Sequence, residues 1–126
     1  MAHPNKPKLT GWETKLMHYI WDRGHATADE IREALRAEGL KRSDSAIRKI
    51  LRGMEDKGAI SHTVENRTFI YTSNLRRHQV QGELIRYLSA LLFHGSAVSL
   101  ALRALDESDL SPEVIAEMRQ KLNEAE

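Results

Sequence analysis

Ser43-Asp-Ser-Ala-Ile-Arg-Lys-Ile-Leu-Arg-Gly-Met-Glu-Asp-Lys57-Gly58, followed after Ala59 by Ile60-Ser-His-Thr-Val64, Glu65-Asn-Arg67 and Thr68-Phe-Ile-Tyr-Thr72, is the stretch on which the fold turns. In its first part Ile47, Ile50, Leu51 and Met54 recur at three- and four-residue intervals, the signature of one buried helical face. Ser43 can cap that helix, Asp44 suits the positive end of its dipole, and Gly58 suits its end. In its second part the period changes to β-rich runs broken by a polar turn, which predicts a hairpin.

Reading toward the N-terminus, Thr10-Gly-Trp-Glu13 and Thr27-Ala-Asp-Glu30 each have the spacing of a capping box, in which a hydroxyl and a carboxylate satisfy the first free N–H groups of a helix. The first box opens a helix with Leu16, Met17, Ile20 and Trp21 on one stripe, closing at Gly24. The second opens one with Ile31, Ala34 and Leu35, closing at Gly39. Trp12 and Trp21 read as core residues. Gly53, inside the third helix, reads as a point of close packing. Three short capped helices and then a hairpin is the order of a winged helix-turn-helix, in which the third helix enters the major groove of DNA and the hairpin reaches the flanking backbone.

Toward the C-terminus the pattern is helical again. Val80, Leu84, Leu88, Leu91 and Leu92 mark a long helix, and Ser96 to Leu105 a second, with Val98, Leu102 and Leu105 in register. Ser111-Pro112-Glu113 opens a third, carrying Val114, Ile115, Met118 and Leu122. This segment is short for a core of its own, and Ile85, Leu88, Leu91 and Leu92 cannot all face one neighbour. Pairing with a second copy buries them most simply. The expected dimer contacts are Leu84, Leu88, Leu91, Leu92, Val98 and Leu102. The fold class is therefore mainly α with a small β-hairpin. We divide it into a flexible arm at 1–8, a winged helix at 9–74, and a three-helix dimerisation domain at 75–126.

Composition narrows the function. The 126 residues contain no cysteine, which excludes disulfides, thiol catalysis and Cys-based zinc sites and fits a cytoplasmic protein. No apolar run approaches a membrane span, and the polar start with Pro4 and Pro7 is neither signal peptide nor anchor. The net charge of +1 divides unevenly, with +3 on residues 1–74 and −2 on 75–126. A basic front and an acidic back suit a polyanion partner for the first part. Lys41, Arg42, Arg48, Lys49 and Arg52 crowd the third helix and its approach, opposed only by Asp44. Arg48 and Arg52 share a face with Ser45 one turn earlier. Arginine can bond guanine O6 and N7 in bidentate fashion, and Lys and hydroxyl groups can take phosphate or base edges. Candidate DNA-contacting residues are thus Lys41, Arg42, Ser43, Ser45, Arg48, Lys49 and Arg52, with Arg67 at the hairpin tip as a backbone contact.

The six histidines, at 3, 18, 25, 62, 78 and 94, form no H-x-x-x-H pair and stand beside no acidic cluster. His18 and His94 read as helix-packing residues. No phosphate loop and no Ser/His/Asp set is present, so no enzyme, cofactor or metal site is expected. The alternative function is a winged-helix protein–protein interaction module, which would not require Arg48, Lys49 and Arg52 together.

With the elements in order, the sequence resembles the penicillinase-repressor family, also called BlaI/MecI, from about Leu9 to Leu122. The resemblance rests on Leu9-Thr-Gly-Trp-Glu13 with Met17 and Ile20-Trp21, on Ala46-Ile-Arg-Lys-Ile-Leu51 with Lys57-Gly58, and on Arg67 with Tyr71-Thr72. It continues through Phe93-His-Gly-Ser96 with Leu100 and Asp109-Leu-Ser111. It implies a homodimer that binds inverted-repeat operators and represses genes, often for β-lactamase or other antibiotic-resistance functions. Two departures matter. The reading helix starts Ser45-Ala-Ile47 where the family commonly has a Thr-Thr-Val-type start, which implies a different operator. In some members a sensor protease cuts an Asn-Phe bond; the matching bond here is Arg103-Ala104. A related copper-responsive branch carries paired C-terminal cysteines, which this chain lacks.

Overall fold

The computed structural model describes residues 8–125; the arm expected at 1–8 lies, except for Lys8, outside them. Helices α1 (Gly11–Arg23), α2 (Ala28–Ala37) and α3 (Asp44–Asp56) are followed by strands β1 (Ile60–Glu65) and β2 (Thr68–Ser73), then by α4 (Arg77–Leu92), α5 (Ala97–Asp106) and α6 (Pro112–Ala125). The mainly helical class with one hairpin is the class expected from the sequence.

Both capping boxes close as their spacing requires. Thr10 Oγ1 accepts from the Glu13 N–H at 3.2 Å while the Glu13 carboxylate accepts from the Thr10 N–H at 2.8 Å. Thr27 and Glu30 repeat the exchange at 3.1 and 2.9 Å. Ser43 Oγ accepts from the Ala46 N–H, opening α3. Gly24, Gly39 and Gly58 sit at φ near +80° just past α1, α2 and α3, a conformation that a side chain disfavours.

The chain forms two compact units. The first runs to Val80, because Leu75 and Val80 pack against its core. Among the described residues every buried hydrophobic lies between Leu9 and Tyr71, with Leu16, Met17, Ile20, Ile31, Leu35, Ile47, Leu51, Met54 and Ile60 sealed from water. Trp12 and Trp21, read as core, are only partly buried. Each has a polar task instead. Trp21 donates its indole N–H to the Leu75 carbonyl at 2.9 Å and Ser73 Oγ at 3.0 Å, tying α1 to the exit of the hairpin, and Trp12 carries Arg42 on its ring.

The hairpin is antiparallel, with Ile60 opposite Ser73 and Glu65 opposite Thr68. Its two loop residues, Asn66 and Arg67, have φ of 50° and 65°, the paired positive angles of a type I′ turn. Ala26 adds a bridge that the sequence does not announce, exchanging backbone hydrogen bonds of 3.0 and 2.8 Å with Tyr71.

Glu13 does a second job. Its buried carboxylate also accepts from the Lys57 ammonium, so the start of α1 is tied to the end of α3. A Cβ on Gly53 would stand 3.4 Å from that carboxylate, close to ordinary van der Waals contact. Burial raises the Glu13 pKa, but the Lys57 ammonium and the Thr10 N–H more than offset it, and the net shift is downward. Glu30 is lowered too, chiefly by the Thr27 N–H. Carboxylates held low stabilise the fold above their unfolded pKa of about 4.3, and the contribution is lost as pH falls through the folded value. Denaturant midpoints should therefore hold steady near neutrality and decline below about pH 4.3. Glu13→Gln should cost about 1–3 kcal/mol at pH 7 and flatten part of that acid decline, Glu30 supplying the rest. An acid slope identical in the two proteins would refute the assignment.

The second unit, described by itself, has a different character. Ser96 caps α5 and Ser111 caps α6 with Pro112 in the first helical position. Asp106 and Arg119 pair. Yet among its described residues only Ser89 is buried, and no hydrophobic side chain is. Leu84, Ile85, Leu91 and Leu92 of α4 are exposed, Leu91 to 51% and Leu92 to 65%. Leu88, Val98 and Leu102 are half-buried within their own chain. His94, read as a helix-packing residue, is exposed in the turn between α4 and α5 at φ 50°; α4 has ended at Leu92, and Gly95, also at positive φ, donates its N–H to the Ser89 carbonyl.

Candidate nucleic-acid interface

Helix α3 presents three faces. Ile47, Leu51 and Met54 enter the core. Ser45 and Lys49 lie on the outward crest, exposed. Arg48 and Arg52, one turn apart, occupy the shoulder toward the hairpin and line a cleft of about 460 Å³ between α3, the start of α2 and the two strands. Arg67 enters the same cleft from the turn, and Phe69, Tyr71 and His62 form aromatic wall. The sequence put Arg48, Arg52 and Arg67 in one functional set; the fold brings these three to one place.

The cleft is organised by contacts that the sequence did not suggest. His62 Nδ1 lies 2.7 Å from Glu55 Oε1, and the imidazole stacks on Phe69 with ring centroids 4.0 Å apart. This links the last turn of α3 to the hairpin. Burial raises the pKa of Tyr71, with the Glu55 carboxylate adding to it and Arg48 and Arg52 opposing. The Tyr71 hydroxyl therefore stays neutral at physiological pH.

The distribution of ion pairs separates two kinds of cation. Lys15, Arg23, Arg32, Arg36, Lys57, Arg77, Arg103, Arg119 and Lys121 each pair with a carboxylate. Among the described residues Lys41, Arg42, Arg48, Lys49, Arg52 and Arg67 have no acidic partner, and all six are exposed; Lys8, Arg76 and Arg86 outside this set also form no ion pair. The one acid within the basic run, Asp44, is taken up by Arg32 of α2. It therefore does not neutralise the α3 cluster that surrounds it in sequence. Arg42 is held differently, its guanidinium 4.1 Å from the centre of the Trp12 ring. A cation on an aromatic face keeps its charge, so it remains available to an anion. Ser43 is occupied as cap of α3, its Oγ also 3.2 Å from Ser45 Oγ.

Arg103 and Ala104 lie inside α5, where Arg103 pairs with Glu107 at 2.8 Å. Among the described residues no three His, Asp or Glu side chains converge to hold a metal ion. Among the described residues no single helix is long and apolar enough to cross a membrane; α4 and α5 reach that apolarity only together, and they are bent by 91° at their junction.

Comparison with known proteins agrees with this geometry. The chain is similar to the solution structure of the DNA binding domain of the repressor BlaI, with a TM-score of 0.50 and 27% identity over 58% of this chain and 88% of that one. The methicillin resistance regulatory protein MecI of Staphylococcus aureus strain N315 is 26% identical over 116 residues, covering 92% of this chain and 94% of its own. The penicillinase repressor of Bacillus licheniformis is 28% identical over 119 residues, 94% of this chain and 91% of its own. The sequence profile described as penicillinase repressor matches residues 9–124. With nearly its whole length matched by that profile, the chain belongs to the penicillinase-repressor family.

Proposed function

We propose that the protein is a homodimeric transcriptional repressor, acting in the cytoplasm, that binds inverted-repeat operator DNA with α3 in the major groove and the hairpin on the flanking backbone. The observation that carries this reading is the clustering of six exposed, unpaired cations on α3, its approach and the hairpin turn, where most of the other described cations are paired. Unpaired arginines and lysines are what phosphates and base edges need, because no internal salt bridge must break on binding. Lys49 and Ser45, on the crest, read bases; Arg48 and Arg52 stand between groove floor and wing; Arg67 takes the backbone. The leucines of α4 meet those of a second copy. The names of the relatives connect them to methicillin resistance and penicillinase, and resistance genes are the regulated class we assign. Selection of bound duplexes from a random library is the test: the reading predicts enrichment of an inverted repeat with half-sites about one helical turn apart or a multiple of it. Recovery of no preferred sequence would contradict it.

Release of repression by a sensor protease faces two obstacles at Arg103–Ala104. The bond has the wrong residues, and it sits within a helix that would have to open before entering a protease site. We expect the protein to survive a protease specific for an Asn-Phe bond, as judged by immunoblot of induced cells. A fragment ending at Arg103 would refute this.

Arg67 offers a test that separates binding from folding. A bulky side chain at positive φ costs about 1–2 kcal/mol, and glycine relieves it. Arg67→Gly should therefore raise thermal stability while weakening binding to operator and random duplexes alike. A variant that is more stable and binds DNA as before would remove Arg67 from the interface.

A further inference from the structure

The turn between α2 and α3 contains a second cavity, of about 500 Å³, that shares no residue with the cleft at the hairpin. Arg32, Arg36, Leu40, Lys41, Arg42 and Ser43 line it. Four of these six carry positive charge. The nearby acids do not cancel them evenly. Arg32 is committed to Asp44, with Asp29 at 3.5 Å and Glu33 at 3.8 Å, and so forms a fixed wall. Arg36 shares Glu33 at 3.4 Å in a pair that is open to solvent on both sides, an arrangement that holds weakly. Lys41 and Arg42 have no acidic partner among the described residues, and Trp12 fixes the Arg42 guanidinium in place. Side chains from α2 and the turn thus build a cationic pocket beside the reading helix.

We infer that this cavity seats a phosphate of the DNA backbone, held by Arg36, Lys41 and Arg42. The inference rests on the DNA-binding reading and extends it, because it adds Arg36 to the contacts and gives Lys41 and Arg42 an anchoring role. Each protomer then grips the duplex backbone at two separate places, this turn and the hairpin. Phosphate contacts carry no sequence information but fix the register of the helix in the groove.

The test uses the full-length protein and a random-sequence duplex of about 30 base pairs, so that no operator need be known. Each phosphate neutralised contributes about 0.9 to the slope of log affinity against log salt. The triple variant Arg36→Ala/Lys41→Ala/Arg42→Ala should reduce the slope by about 0.9 per bound protomer without changing the preference among sequences, each single variant should take part of that loss, and Arg36→Lys should restore the share of Arg36. Circular dichroism should be unchanged for Arg36→Ala and Lys41→Ala, both exposed. A parallel titration with inorganic phosphate, followed by amide shifts at residues 41–43, separates the sources of the anion. Weak, millimolar response is expected; saturation at micromolar phosphate would make this a site for the free ion and overturn the backbone assignment. An unchanged slope in the triple variant, with the unmodified protein binding duplex normally, would overturn the inference alone. Failure of the unmodified protein to bind any duplex would instead overturn the functional reading beneath it.

Discussion

Replacing Leu92 with Asp should turn a dimer into a monomer. Leu92, Leu91, Ile85 and Leu84 stand in water on a single chain, and the unit that carries them buries no hydrophobic side chain among its described residues. Covering such surface with a second copy stabilises by about 25 cal/mol per Å² of apolar area, and a two-fold axis lets one face serve both partners. An aspartate in the seam leaves an unpaired charge that costs several kcal/mol, of order 3–5 when buried. Leu92 is a better place for this charge than Leu88, which is half-buried within its own chain and whose replacement would disturb the protomer as well. The winged helix should survive, since its core closes between Leu9 and Val80. Sedimentation at micromolar concentration should show half the mass, and affinity for a two-half-site duplex should fall by about 10²–10⁴ as the linkage between half-sites is lost. A folded monomer before mutation, or an unchanged dimer after it, would contradict the assignment.

The double substitution Arg48→Ala/Arg52→Ala should have the largest effect on DNA. Both side chains enter the cleft beside the hairpin, neither has an acidic partner among the described residues, and neither belongs to the core. Each contact to a base edge or phosphate is worth about 1–3 kcal/mol, so the pair should weaken specific binding by roughly 10²–10⁴ with little change in stability. If Arg48 reads a base, Arg48→Ala alone should also relax preference at one position per half-site. The rival reading, a winged helix that binds only protein, forecasts no change with any nucleic acid.

The fold was legible because its signals are local. Thr10 with Glu13, Thr27 with Glu30, Ser43, and the glycines at 24, 39 and 58 mark boundaries by chemistry within one turn. The basic set on α3 was legible for the same reason, through four-residue spacing. What sequence did not reveal is long-range: the Arg32–Asp44 pair, which frees the α3 cations of their apparent neutraliser, the bridge from Ala26 to Tyr71, and the stack of His62 on Phe69. Each joins residues whose proximity depends on how the helices and hairpin pack. Trp12 and Trp21 misled for a related reason, since large aromatic residues read as core whether they fill it or, as here, hold Arg42 and the exit of the hairpin from its edge. Arg36 drew no notice because helix α2 looked complete as a capped amphipathic element, and only the packed turn sets it beside Lys41 and Arg42.

The most direct test of the central claim is equilibrium binding of the unmodified protein to a selected inverted repeat and to random duplex across a range of salt. The account predicts a clear preference for the repeat, and a loss of affinity for both of roughly 10³–10⁵ between 50 and 200 mM salt if six to ten phosphates are neutralised by the dimer. Equal affinity for the two duplexes would leave a non-specific binder, and no affinity for either would end the repressor reading.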